Sequence, residues 1–232
     1  MSNFIICTFY TPSYSKYLAE WEKHVKATGY DYTARELPDR GKWSLNDCMK
    51  PMFIRDMLIE HPDKNIVWVD VDSSVVKKPV LFESLDCDIA GYLATPMPSE
   101  RKFINKQYKH KELWGGKFVL GGILYFAQTY NSISILNLWV ESCNNDPNRF
   151  VGDQDNLNEI LNNYAERIGL RFTQLPIEYS FCVPHAGCPE YAGYNKMNDA
   201  VILHDFASRD ARRRDRGQKD TWVTRLGIAP SA

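Results

Sequence analysis

Asp70 and Asp72 are the residues of this 232-residue chain whose types and spacing most plainly ask for chemistry. They follow directly on Ile66-Val67-Trp68-Val69, an apolar run that folding drives into a core, so both carboxylates emerge together at one end of a buried strand. Like charges two residues apart repel unless a cation sits between them. A hard divalent cation answers that need, because it takes oxygen ligands and keeps positions open for diphosphate oxygens. The same two acids also fit the start of an ordinary loop, and the pair alone leaves both readings open. A second acidic group, Gly152-Asp153-Gln154-Asp155, has the form of a helix start, where Asp153 and Asp155 suit an N-cap and a first-turn acid. Lys50 stands near another helix start, facing either a ligand or solvent.

The elements that must position these groups can be read from apolar patterning. Phe4–Phe9 reads as a buried strand, followed by a loop to Ser15 and a helix from Lys16 to Thr28. Tyr30–Leu37 reads as a strand, Pro38-Asp39-Arg40-Gly41 as a turn, and Asn46–Glu60 as one helix with Pro51 in its first turn. Ile66–Val69 should be a central, parallel strand, with further strands at Asp88–Leu93, Phe118–Phe126, Arg171–Leu175 and Val201–Leu203. Helices are expected at Ser132–Cys143 and Gln154–Ile168. Phe118–Phe126 carries Gly121-Gly122 in its middle, where ordinary strands rarely have glycines. Strands alternating with helices predict an α/β domain, a three-layer α/β/α sandwich on a largely parallel central sheet, spanning residues 1–232 as one unit. In such a sheet ligands sit at the carboxyl ends of the strands, which is where Asp70 and Asp72 emerge.

Four segments in this order resemble the nucleotide-sugar glycosyltransferases of GT-A type, especially the family-8-like group. They are Asp70-Val71-Asp72, Gly121-Gly122-Ile123-Leu124-Tyr125-Phe126, Gly152-Asp153-Gln154-Asp155-Asn156-Leu157-Asn158 and Val201-Ile202-Leu203-His204. The resemblance covers most of residues 4–210 and implies a GT-A-like fold and transfer of a sugar, UDP-linked in the first instance, from a nucleotide diphosphate. It implies Asp70, Asp72 and His204 as ligands of Mn2+ (or Mg2+); a neutral imidazole tilts such a site toward manganese. A metal there would neutralise charge building on the leaving diphosphate. Donor contacts fall to Thr8, Tyr10 and Thr11 at the end of the first strand, with Tyr10 stacking on the base, and to Lys50, Asp70, Gly121 and Gly122. Arg209 stands where the group carries a basic residue on the diphosphate, but the chain has Ser208-Arg209 where the group has Gly and a Lys-Pro-Trp-like ending. Asp153, Gln154 and Asp155 are the catalytic-pocket candidates: a polar side chain beneath the anomeric carbon in retaining members, an acid that deprotonates the acceptor in inverting ones. The resemblance leans toward retention.

Other readings compete. Asp70-x-Asp72-x-Ser74 also looks like the first motif of haloacid-dehalogenase-like phosphatases, with Gly152-Asp153 as their later acid. Those enzymes open with the nucleophile strand, prefer Thr or Val at the third place, and put the later acid after a buried strand. A nucleotide-sugar-binding module would keep Asp70, Asp72 and His204 yet transfer nothing. Sugar nucleotidyltransferases open with a Gly-rich loop, and here that loop is Thr11-Pro12-Ser13-Tyr14.

Composition limits the partners. The net charge of −1 gives no global pull toward nucleic acid or anionic membrane. Two local basic stretches, 101–117 and 209–216, the latter within a tail of residues 209–232, would suit an anionic acceptor: a charged glycan, a lipid-linked phosphate or a modified base in DNA. Six scattered cysteines without a CxxC pair read as free thiols in a reducing compartment, with Cys182, His185 and Cys188 as an incomplete zinc-like spacing. The N-terminus lacks a basic region followed by a long apolar core, and no apolar run approaches the ~20 residues of a membrane span. The expected location is the cytoplasm, or a host's cytoplasm for a phage-encoded chain.

Overall fold

A computed structural model describes residues 2–95, 117–145, 152–182 and 197–204. Its centre is a six-stranded sheet in the order β2-β1-β3-β6-β5-β7. The strands are β1 (Phe4–Tyr10), β2 (Tyr32–Glu36), β3 (Asn65–Val69), β5 (Ile89–Ala94), β6 (Phe118–Phe126) and β7 (Phe172–Gln174). Neighbours are parallel except at β6, which runs against both β3 and β5. A second, three-stranded sheet pairs β4 (Ser73–Val75) antiparallel to β9 (Ile202–His204), and β9 parallel to β8 (Phe181–Cys182).

The apolar run at the N-terminus is continuous because both faces of β1 are covered. Ile5, Cys7 and Phe9 point into one core and Phe4 and Ile6 into the other. β3 divides likewise, with Ile66 and Trp68 on the first side and Val67 and Val69 on the second. The first core is closed by α3 (Lys50–Glu60), α4 (Tyr130–Asn145) and α5 (Asp153–Tyr164), through Phe53, Ile54, Trp139, Leu157 and Leu161 among others. The second is closed by α1 (Ser15–Thr28), through Trp21 and Val25, together with the small sheet. Each fully buried Ile or Phe contributes about 1.5–3 kcal/mol, so these two layers hold the central sheet rigid beneath the site. The three-layer, mostly parallel architecture expected from the sequence is present.

Three local expectations need correction. The segment 46–60 is two helices, α2 (Trp43–Asp47) and α3, not one. Pro51 lies in the first turn of α3, and a proline has no N–H to donate to the carbonyl four residues back, that of Asp47, so α2 cannot run on into α3. β3 is parallel to β1 alone, since its other neighbour is the reversed β6. The strands β4 and β8 were not anticipated; at 3 and 2 residues they are too short for a period to register.

Candidate active site

β1 and β3 end side by side, and the reversed β6 begins beside them, so Tyr10, Asp70 and Gly121 are delivered to one edge of the sheet. Asp70 leaves β3 into a tight turn in which the Ser73 N–H donates to the Asp70 carbonyl at 2.9 Å. The Asp70 N–H donates to the Gly122 carbonyl at 2.9 Å, which ties the acidic turn to the glycines of β6. That turn leads straight into β4, whose first residue Ser73 is the cross-strand partner of His204. The histidine is thereby carried back to the acids. Its Nε2 lies 3.4 Å from Asp70 Oδ2 and 3.5 Å from Asp72 Oδ1.

Among the described residues, Asp70, Asp72 and His204 form the one group of three His, Cys, Asp or Glu side chains able to hold a metal ion, with ligand atoms all within 4.8 Å of one another. An octahedral ion with bonds of about 2.1 Å sets neighbouring ligands about 3 Å apart, so small adjustments of these side chains would enclose one. The donor set, two carboxylates and one imidazole, suits a divalent ion such as Mn2+.

A second charged group adjoins the first. Lys50, at the start of α3, is 4 % exposed. Its Nζ stands 2.6 Å from Asp153 Oδ2, 3.1 Å from Asp70 Oδ1 and 4.0 Å from Asp47 Oδ1, and it donates to the Gly121 carbonyl at 3.1 Å. It also lies over the Trp68 ring, 5.2 Å from the centroid, while the Trp68 indole N–H donates to Asp70 Oδ1 at 2.7 Å. Burial works against the Lys50 charge, but Asp153, then Asp70 and Asp47, outweigh it and hold the ammonium above the ordinary lysine range. Burial also pushes the Asp153 carboxyl up, yet Lys50 and hydrogen bonds with Asp47, with Lys50 and from the Gln154 N–H hold it below the usual aspartate value. Asp70 goes the other way. Burial raises it, the pull of Lys50 and His204 opposes, and repulsion from Asp72 and Asp153 leaves it raised.

The two glycines of β6 have separate reasons. A methyl group on Gly122 would lie 2.5 Å from His204 Cε1 and 2.6 Å from Nδ1, so the imidazole rests on bare backbone there. One on Gly121 would meet Gln154 Cβ at 3.3 Å, Asp153 Oδ2 at 3.5 Å and Lys50 Nζ at 3.6 Å, which is tight but close to ordinary contact. The Gly121 N–H donates to Gln154 Oε1 at 2.9 Å, and the Asn158 side chain exchanges hydrogen bonds with the backbone of Val119 at 2.8 and 2.9 Å. Helix α5 is thus stitched along β6 by the side chains of Gln154 and Asn158. The Trp139 indole N–H fixes the same helix by donating to the Asp153 carbonyl at 2.8 Å.

Eight of the residues singled out in the sequence therefore share one neighbourhood: Lys50, Asp70, Asp72, Gly121, Gly122, Asp153, Gln154 and His204. Asp155 is in the first turn of α5 and half-buried. Thr8 is wholly buried with its hydroxyl donating to the Phe9 carbonyl at 3.3 Å, which places it in the sheet interior. Tyr10 closes β1 half-buried, and the buried Thr11 shares a hydrogen bond with Ser13 at 3.0 Å. Arg209, the stretch 209–216, all of 101–117 except Lys117, and His185 and Cys188 lie outside the described residues; Cys182 ends β8.

Sequence reasoning passed over two residues at this edge. Asp47 meets Lys50 as above and accepts from the Asp153 N–H through Oδ2 at 3.2 Å. Tyr14 has a buried hydroxyl without a hydrogen-bond partner among the described residues, pushed up by burial and then by Asp72, Asp47 and Asp70. Asp47 is the only acid between Asp39 and Asp56, so no local cluster marks it, and nothing in the local pattern singles out Tyr14.

No protein-family model matches the chain, and no curated protein matches it in sequence. Solved structures do share its shape. A glycosyltransferase involved in the glycosylation of the major capsid of PBCV-1 superposes with a TM-score of 0.60 at 16 % identity, over 92 % of this chain and 98 % of that one. The bifunctional glycosyltransferase WbbM in its apo form gives 0.53 at 10 % identity, over 92 % of this chain and 49 % of its own. The glycosyltransferase GlyE of Streptococcus pneumoniae TIGR4 gives 0.53 at 12 % identity, over 88 % of this chain and 54 % of its own. The chain thus spans about half the length of the latter two and nearly all of the first. At these identities the likeness establishes the fold: this chain has the α/β fold of those glycosyltransferases.

Proposed function

We propose that the chain is a metal-dependent glycosyltransferase, acting as one domain, that takes a sugar from a nucleotide diphosphate donor. The observation that carries this reading is the meeting of Asp70, Asp72 and His204 beside the Lys50–Asp153 pair, at the strand edge where this type of sheet binds ligands. Asp70, Asp72 and His204 would hold Mn2+ (or Mg2+), which when bound supplies positive charge against the diphosphate as it leaves. Thr11 and Tyr10, at the end of β1, would border the nucleoside, and Gly121 and Gly122 would let Gln154, Lys50 and His204 pack directly on the backbone of β6 beside the donor. Lys50 would neutralise Asp153 and hold it in place, and Asp153, Gln154 and Asp155 would line the reacting centre. UDP-sugars, hexoses or pentoses, are the first donors to test, with retention the favoured outcome. An anionic acceptor, nucleic acid included, would engage the basic stretches 101–117 and 209–216, with Arg209 on the diphosphate. The cytoplasm remains the proposed location; among the described residues no helix is long and apolar enough to cross a membrane.

The phosphatase alternative loses ground on one feature. Asp153 opens a helix that packs along β6, whereas the later acid of those enzymes follows a buried strand.

Thermal stabilisation by a panel of nucleotides and nucleotide sugars, with and without Mn2+, tests the reading. A ligand at 100 times its dissociation constant adds about 2.7 kcal/mol, a clear shift in Tm. The expected result is metal-dependent stabilisation by one nucleoside diphosphate that disappears in Asp70→Asn/Asp72→Asn. Stabilisation without sugar release would indicate a binding module. No nucleotide response, together with stabilisation by a phosphate-mimicking fluoride complex and Mg2+, would replace this reading with a phosphatase.

A further inference from the structure

Helix α5 begins without a cap of its own. Its N-cap position is Gly152, which has no side chain to meet the exposed amides of the first turn. The missing acceptor comes from 106 residues away: the Asp153 N–H donates to Asp47 Oδ2 at 3.2 Å. Gly152 is bare because α2 rests on it. A methyl group there would lie 2.9 Å from Trp43 Cη2 and 3.0 Å from Asp47 Oδ2. The other oxygen of the same carboxylate is 4.0 Å from Lys50 Nζ, itself 2.6 Å from Asp153 Oδ2. One side chain therefore holds the backbone of Asp153 and faces the cation that holds its carboxylate. α2 contributes no ligand to the metal group.

We propose that Asp47 is a positioning residue for the transfer reaction. It caps α5 from outside and balances Lys50, fixing Asp153 and the adjacent Gln154 relative to the donor sugar. The inference rests on the transferase reading of this site. Asp47 acts through Asp153 and Lys50 rather than on the substrate. Its loss should therefore leave metal-dependent nucleotide binding at Asp70, Asp72 and His204 in place while slowing turnover.

Two variants of the full chain separate its contacts. Asp47→Ala removes these two contacts and the one with the Asp153 carboxyl; Asp47→Asn keeps an acceptor for the Asp153 N–H and loses the charge facing Lys50. Hydrogen exchange without ligand reads the cap directly, whatever the enzyme does. Exchange across 152–158 should quicken at least tenfold in Asp47→Ala and stay within threefold of the native rate in Asp47→Asn. Release of UDP from UDP-glucose and UDP-galactose with Mn2+ reads the positioning. In Asp47→Ala kcat should fall at least thirtyfold with KM within threefold, and Asp47→Asn should recover most of that loss. Unchanged exchange in Asp47→Ala overturns the cap. Faster exchange with unchanged kcat, or a rise in KM that matches the fall in kcat, overturns the positioning role. If native protein neither binds a metal–nucleotide complex nor releases UDP, the transferase reading and the positioning role fall together, and the exchange result alone decides the cap.

Discussion

Two buried aspartates, Asp88 and Asp153, are each 2 % exposed, and their surroundings are built on different principles. Asp88 accepts from the Arg171 N–H at 2.8 Å, from Asn131 Nδ2 at 3.1 Å and from Arg171 Nη2 at 3.3 Å. Burial pushes its carboxyl up, but those hydrogen bonds prevail and hold it below the ordinary aspartate range. One carboxylate is met by neutral dipoles and one guanidinium. At the other edge of the sheet the proportions invert: among the described residues Asp47, Asp70 and Asp153 face the single ammonium of Lys50, and Asp72 stands beside Asp70 and His204. His204 adds a charge there only when protonated. The first arrangement is complete as folded. Among the described residues the second brings more carboxylates than cations together, the arrangement expected of acids that hold a cation rather than of one that only holds the fold.

The sharpest way to break this contrast is to remove two of those acids. Asp70→Asn/Asp72→Asn should lower turnover by at least about 100-fold and abolish metal-dependent stabilisation. The same double variant should leave the metal-free Tm unchanged or raised, because repulsion between the acids is relieved. A fall of several degrees in the metal-free protein would mean that the acids are structural. Gly122→Ala comes next. A methyl group 2.5 Å from His204 must displace the imidazole, and turnover should fall about 10²-fold with weaker metal affinity. Gly121→Ala, whose nearest contact is 3.3 Å, should cost tenfold or less by the same assays, on the order of 1 kcal/mol. Equal effects from the two glycines would refute the separate roles given to them.

Asp88→Asn should do the reverse of the acidic double variant. It loses about 1–3 kcal/mol in denaturant unfolding while kcat and KM stay within about twofold, since only hydrogen bonds far from the site are disturbed. The smallest effect is its pH dependence. Because the folded carboxyl lies below its unfolded value, its stabilisation is complete above the unfolded pKa of about 3.9 and fades as pH falls through the folded one. The gap between native and Asp88→Asn stability should therefore be constant near neutrality and narrow only in that acid window. A gap that narrowed around neutral pH would point to another group.

Local pattern carried the parts of this fold that are continuous in sequence. The span of β6 is legible because Phe118–Phe126 is apolar on both faces, and the expected helix Lys16–Thr28 matches α1 to within a residue; the structure shows Gly29 ending it in a left-handed turn, φ 74°. The order of Asp70, Gly121-Gly122, Asp153 and His204 pointed to one neighbourhood, and the strand edge brings them there. What escaped was set by contacts across the chain. The break between α2 and α3 depends on where Pro51 falls, and the place of Asp47 depends on Gly152 lying beneath it. The short β4 exists because β9 returns to pair with it, so no window around residue 73 could announce it.

That returning strand also ties the site to the history of the folding chain. Asp70 and Asp72 lie next to β3 in the chain, whereas His204 reaches them only through the last described strand, which closes a very long loop onto Ser73. Such closure costs entropy, and an ion that needs all three groups would offset part of that cost. Metal affinity in this protein would then double as a gauge of finished folding, with a chain arrested before Ile202 left holding two acids and no third ligand.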